Sequence, residues 1–455
     1  MYKKIQLLIL LLFPILLHAQ NKLPANMFLR TLSNGLEVLV VEDNSVPLAT
    51  ITMTFKAGAF TESAYNNGLT GIYTSMFLTG DKEYPNEISF HYHLGQLGII
   101  SHYSTTDESS ACYFTLPKFN LEEGLKIMNS AIRFSTISKL SLEKEKEMTK
   151  DQLKQKESNP NFALYNVMFR HLWGDLFYRK RAIGSNETIN SASVELLEEI
   201  KNKYFYPNNA LLVIGGDVEH VKVFDQVEKI YGGWTASNFD PFKKWSVPEF
   251  ETLSKTVYFI VESSLSQSPF ISIYWQGPDT RNDIPSTYAA DVFSYIVNQK
   301  ESKFNLALVQ SGLALSVNAG YLTAKHIGPI SLTIEPNPAK IDECMREVRK
   351  QIGLMDSDDY LSDEQIENAR RMLSIKKIRE EEITSDYVRT LSFWWASASI
   401  NYFINYDEKL DKISRADIKS YVNKYIKDKP YCAGLLINPD LEKQLTADTF
   451  FKKTN

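Results

Sequence analysis

One structural unit occurs twice in this chain, and the duplication limits the folds open to it more than any other feature. The segment "ACYFTLPKFNLEEGLKIMNSAI" (Ala111–Ile132) alternates as a strand, passes through Pro117 and continues as a helix. The apolar residues Leu121, Leu125, Met128 and Ile132 of that helix fall at i, i+4, i+7 and i+11, which makes one apolar stripe. The segment "ISLTIEPNPAKIDECMREVRKQI" repeats the design in the second half of the chain. A strand with Ile330, Leu332 and Ile334 leads to Pro336, and then Ile341, Met345, Val348 and Ile352 follow at the same spacing. Three further pairs keep nearly the offset that separates Leu121 from Ile341. "LSLEKEKEM" parallels "LSDEQIENA", and "EIKNKYFYPNNALLVIGGD" parallels "DIKSYVNKYIKDKPYCAGLLINPD". Near the start of each half, "LATITMTFKAG" and "PFISIYWQGP" alternate as half-buried strands.

Strands, hairpins and long helices in this order predict an α+β chain of two homologous domains, each a mainly antiparallel sheet with helices packed on one face. The expected domains are 28–235 and 256–450. The segment between them, 236–255, falls in an aperiodic stretch rich in Gly, Pro, Ser and aromatic residues, read as a linker packed on both. Residues 1–19 read as a secretory signal: Lys3 and Lys4 precede an apolar run, Ile5–Leu17, too short for a comfortable span, and Ala19 offers a small residue for cleavage. The other reading of this run is an uncleaved anchor. No later run reaches the length of a membrane helix, so no stable span is expected after cleavage. The formal charge of −5 gives no electrostatic footprint for nucleic acid, and mixed-sign runs such as "EKEKEMTKDQLKQKE" read as solvated helix faces. Cys112, Cys344 and Cys432 are too few and too scattered for a disulfide framework and read as buried thiols.

The ordered landmarks resemble the M16 peptidases, the insulinase, pitrilysin and mitochondrial-processing-peptidase family. "LRTLSNGLEVLVVEDNSVPLATITMTFKAGAFTE" is similar to the family's opening strands and "NNGLTGIYTSMFLTGDKEYP" to its motif segment. "LSLEKEKEMTKDQL", "YFYPNNALLVIGGDVE" and "SKFNLALVQSGLALSVNAGY" resemble later landmarks, so the likeness covers about residues 30–450. The resemblance also implies two duplicated domains.

The family's signature is H-x-x-E-H, followed at a fixed distance further along the chain by another Glu. Two His four apart on a helix share a face and reach one Zn²⁺, the distal Glu completes three protein ligands, and the intervening Glu takes a proton from metal-bound water. With the register set by Gly68, Leu69 and Met76, and the family's spacing kept, the metal-ligand positions fall on Gly71, Ser75 and Gln152. The general-base position falls on Thr74. Gly has no ligand to offer, Ser and Gln are poor donors beside imidazole or carboxylate, and Thr is no base near neutral pH. The resemblance further implies an Arg and a Tyr, seven apart in the second domain, that hold substrate. Those positions fall on Leu308 and Leu315.

The chemistry has no evident second home. His91 and His93 lie on a segment that is helical in the family, where i and i+2 point about 200° apart and co-ligate poorly. His171 and His220 stand without neighbouring Cys or His and read as structural. "VIGGD" is a strand end rather than a phosphate loop, and no catalytic serine signature is present. "LSFWWASASINYF" (Leu391–Phe403) reads as helix packing rather than a ligand cage. The expectation is therefore a non-catalytic M16-like subunit, without a cofactor of its own, zinc being held only by an active partner. The expected partner is an active M16 peptidase subunit, or a second copy of the chain as a homodimer. Peptides are the expected ligands, taken by strand addition at an edge over Ser101, His102, Tyr103 and Ser104. If the source is a Gram-negative bacterium, the expected location is periplasmic or envelope-associated. The alternatives are a stand-alone peptide-binding or chaperone-like module, and an active metalloendopeptidase with an unrecognised site.

Overall fold

Apolar alternation at the two matching places in the sequence produces two sheets of the same plan. A computed structural model describes residues 23–440 with Phe450 and Phe451, so the signal segment 1–19 lies outside the described residues. The first sheet contains β1 (Met27–Thr31), β2 (Glu37–Glu42), β3 (Leu48–Phe55), β4 (Ile100–Thr105), β5 (Ser110–Pro117) and β6 (Ala210–Gly216), in the order β1-β2-β6-β3-β5-β4. The second contains β7 (Val257–Glu262), β8 (Phe270–Gln276), β9 (Ala314–Tyr321), β10 (Pro329–Pro336) and β11 (Cys432–Ile437), in the order β7-β11-β8-β10-β9. Of these pairings only β2–β6 and β7–β11 are parallel; the rest are antiparallel. The second sheet thus repeats the first without β1, and Glu37 and Val257 open equivalent strands.

Five helices of the first domain matter below: α1 (Leu69–Ser75), α2 (Glu87–Gln96), α3 (Leu121–Arg133), α4 (Lys139–Glu157) and α5 (Pro160–Trp173). On β3, Ala49, Ile51, Met53 and Phe55 enter one core with Leu69, Ile72 and Tyr73 of α1 and Leu125 and Met128 of α3. The helix Ile341–Leu354 is the counterpart of α3 and places Ile341, Met345, Val348 and Ile352 in the matching core of the second domain. Each sheet therefore carries its own domain's helices on one face. The three cysteines are buried free thiols, and burial raises their pKa, to about 12 for Cys344 and Cys432.

The opposite face of each sheet receives a helix from the other domain. Leu39 and Val41 of β2 and Leu211 and Val213 of β6 pack on Val388, Leu391 and Trp395 of the helix Thr384–Ser397. Reciprocally, Leu164, Met168 and Leu172 of α5 pack on Phe259, Cys432 and Leu436 of the second sheet. This is why β2 and β6 are apolar on both faces, a pattern required of strands covered from two sides. Two glycines admit the helices at close range. A Cβ on Gly215 would lie 2.4 Å from Val388 Cγ2, and one on Gly434 would lie 2.9 Å from Leu164 Cδ1. The aromatic stretch Leu391–Phe403 is accordingly helix packing between domains, with Trp395 Nε1 donating to Glu37 at 3.0 Å.

The connecting segment touches both halves. Gln276 Nε2 donates to the carbonyls of Leu172 and Glu251 at 2.9 Å, Arg281 forms a two-point pair with Glu249, and Phe250 packs on Trp173. The turns after β4 and β9 also meet. Glu108 accepts from the backbone N–H groups of Lys325 and His326 and lies 3.2 Å from His326 Nδ1, while the His326 ring stacks on Phe60. Burial opposes the Glu108 charge, but the His326 hydrogen bond and the nearby cations hold its carboxyl below the ordinary value. Burial likewise holds the His326 imidazole below its ordinary value.

Acid works against this junction. Glu108 contributes stability that is complete above 4.5 and is lost as pH falls through its lower folded value. For His326, the unfolded chain takes up a proton first, so stability is lost as pH falls below 6.5. Asp107, raised to about 6, and Asp291, raised to about 7, act in the opposite sense over this range, so His326 is read by difference: from about pH 7.5 to about pH 5.5 the urea midpoint should drop further than it does in His326→Gln. An equal drop in the variant would remove His326 from the account.

Candidate functional site

The site begins with a buried carboxylate. Glu62 accepts from the N–H groups of Gly68 (2.7 Å) and Thr70 (2.8 Å) and from the Asn67 side chain (2.9 Å), so it caps the start of α1. Burial pushes its pKa up despite these bonds. Gly68 turns the chain at φ +88, in the left-handed region, and its Cα lies against Gly184, itself at φ +76. Asn67 also donates to the carbonyls of Tyr178 (3.0 Å) and Arg181 (2.8 Å). One knot of residues therefore fixes both the direction of α1 and the loop that follows α5.

Below the knot, α1, α4, α5, β4 and that loop enclose a cavity of about 580 Å³. Gly71, Ser75 and Gln152 all line it, so the three positions at which the resemblance expects metal ligands meet at one cavity. Gly71 leaves room, since a Cβ there would come no closer than 3.8 Å to any neighbour. Ser75 is buried, and its hydroxyl donates to the Ile72 carbonyl at 2.7 Å. Thr74 is buried and takes no part in the lining. Its hydroxyl donates to the Thr70 carbonyl at 2.7 Å and accepts from Thr105 at 3.2 Å. A neutral hydroxyl chain thus occupies the base position. Among the described residues no three His, Cys, Asp or Glu side chains are grouped to hold a metal ion. The donors present, a hydrogen, a hydroxyl and an amide, do not fit zinc.

The other expected positions are scattered. β4, with Ser101, His102, Tyr103 and Ser104, forms the outer edge of its sheet, and His102 is exposed beside Tyr113. Leu308 is buried in the second core, and Leu315 lies on β9 at 58% exposure, so neither contributes to the cavity. His91 and His93 lie on α2, where His93 stacks on Tyr84; His171 packs against Phe259, and His220 stacks on Phe28 and bonds Glu42.

Several site residues escaped the sequence reading. Lys180, Arg181, Tyr165 and Tyr274 line the cavity, the last of them from the second sheet. Glu145 was part of a run read as a solvated face, yet it and Lys146 are buried. Glu145 sits two helical turns before Gln152, and that spacing was the available signal. Burial raises its pKa.

Comparison with known proteins gives the family and the fold. Residues 37–182 match the family described as "Insulinase (Peptidase family M16)", and residues 191–373 match "Peptidase M16 inactive domain". The chain belongs to the M16 peptidase family. It is 21% identical over 418 residues, 89% of this chain and 93% of the relative, to "Non-peptidase homolog YmxG" of Helicobacter pylori. Its fold is similar to the crystal structure of a protease from Helicobacter pylori (TM-score 0.80, 16% identity, 90% of this chain and 99% of that one). It is also similar to the periplasmic protease PqqL from Escherichia coli (TM-score 0.78, 13% identity, 95% of this chain and 50% of that one). The family fold is thus present, and a relative that spans nearly the whole chain is named a non-peptidase homolog.

The knot makes a testable demand. Glu62→Ala leaves buried N–H groups without an acceptor and should lower the unfolding free energy by about 1–3 kcal/mol, measured by urea titration. An unchanged midpoint would mean that α1 is held without Glu62.

Proposed function

We propose that this chain is a non-catalytic M16 subunit that lines a peptide chamber completed by an active zinc-peptidase partner. The observation that carries the proposal is the preserved cavity: α1 and α4 still converge on Gly71, Ser75 and Gln152, beside the open edge strand β4. An extended peptide can add to β4 through main-chain hydrogen bonds, which need no metal. The likeness to a relative named a non-peptidase homolog supports the absence of hydrolysis. The signal-like N-terminus and the fold shared with a periplasmic protease support an exported protein acting in the periplasm. No helix among the described residues is long and apolar enough to cross a membrane.

A second reading, a stand-alone peptide-binding module, is favoured by one feature. Leu308 and Leu315 leave this chain without the Arg and Tyr pair that would complete a neighbour's site. Co-purification separates the two. The subunit reading expects the native protein to carry along an M16 chain with an intact H-x-x-E-H, and that chain to cleave peptides faster in the complex than alone. Recovery of peptides with no second M16 chain would favour the stand-alone module. Cleavage by the isolated chain would contradict both.

A further inference from the structure

The cavity has kept its walls while its electrostatics point to a different guest. Lys156, Lys180 and Arg181 line it, and no Asp or Glu does. The Arg181 guanidinium lies 5.5 Å from the ring of Phe162, a lining residue, whereas the Lys180 ammonium turns away towards Trp173 (5.3 Å) and Phe250 (5.5 Å), which do not line the cavity. The Lys180 charge acts instead on Asp107 and Glu108, which also lie outside the lining. Arg181 adds a buried Nε–H that has no acceptor. Buried donors of this kind are rare and costly unless something accepts from them. The remaining walls are aromatic: Phe162, Tyr165, Phe169 and Tyr274. A cavity that is cationic at one part and aromatic at another suits an anion joined to an apolar group.

The edge strand says where that anion comes from. Tyr103 and Thr105 of β4 both line the cavity, so a peptide paired along β4 runs into it. We propose that the former metal pocket is a receptor for the C-terminal carboxylate of an extended peptide whose last side chain is apolar. The carboxylate meets Arg181, with Lys156 beside it in the lining, in charge-assisted hydrogen bonds, and the last side chain packs on the aromatic wall. The same chemistry could be supplied by a free aromatic acid, which lacks the strand contacts. This inference rests on the non-catalytic reading of the pocket.

The test is isothermal titration with a hexapeptide ending in Phe, as free acid and as C-terminal amide, beside N-acetylphenylalanine, with mass spectrometry of the peptide afterwards. The proposal expects the free acid to bind about tenfold more tightly than the amide, or better. It expects N-acetylphenylalanine to bind more weakly than the hexapeptide acid. Arg181→Gln and Lys156→Met should each weaken binding of the acid more than binding of the amide, bringing the two affinities together. Melting curves show whether each variant is folded, and either one alone suffices. Equal affinity of acid and amide, or binding of neither, overturns the proposal. N-acetylphenylalanine binding as tightly as the peptide overturns the strand-addition part and assigns the pocket to free acids. Cleavage of the peptide by the lone chain would instead bring down the non-catalytic reading itself.

Discussion

Each sheet of this chain needs a helix that its own domain does not supply. Without the helix Thr384–Ser397, the apolar residues Leu39, Val41, Leu211 and Val213 would face water, and without α5 so would Phe259 and Leu436. Burying such side chains contributes roughly 1.5–3 kcal/mol each, so the exchange welds the two halves into one cooperative body. It also sets the site. α5 reaches the second sheet, and the loop behind it returns to α1, carrying Lys180 and Arg181 to the cavity. The cavity is therefore built from both domains, with Tyr274 of β8 closing one wall.

The consequence for chemistry follows from which part of the site each constraint governs. Glu62, Asn67, Gly68 and Gly184 hold the backbone of α1 and the Tyr178–Gly184 loop, and none of them is a ligand position. The shell can persist while the ligands change. At the expected ligand positions Gly71 has a hydrogen, Ser75 a hydroxyl bonded to its own helix and Gln152 an amide, a set that does not fit zinc. Thr74, held in a chain of neutral hydroxyls, has no charge with which to take a proton from water. What the pocket retains is shape, an adjoining strand edge and a basic, aromatic lining, which are means of binding.

Much of this was legible in the sequence because it is periodic. The internal repeat predicted two domains, and α3 and the helix Ile341–Leu354 carry their stripes into the two cores as the spacing requires. Fixed motif spacing placed Gly71, Ser75 and Gln152 around one cavity. What was illegible is non-periodic or long-range. "LSFWWASASINYF" announced packing but not the sheet it covers, because its partner residues belong to the other domain. Lys180 and Arg181 arrive on a loop whose path depends on Asn67, and a loop leaves no repeating signal. Glu145 was hidden in a charged run that looks solvated until α1 is laid across it. The Glu108–His326 contact joins two turns from different domains, and neither turn marks the other in sequence.

Metal content measures the central claim most directly: the M16 shell is intact and only its ligands are gone. Purified chain exposed to zinc and then desalted should retain no stoichiometric metal. A variant combining Gly71→His, Ser75→His and Gln152→Glu should retain about one equivalent, because the backbone already presents those three positions to one cavity and Gly71 has room for a side chain. Stoichiometric zinc on the unaltered chain would contradict the account. A folded variant that still takes up none would mean that the shell has drifted from the geometry zinc needs.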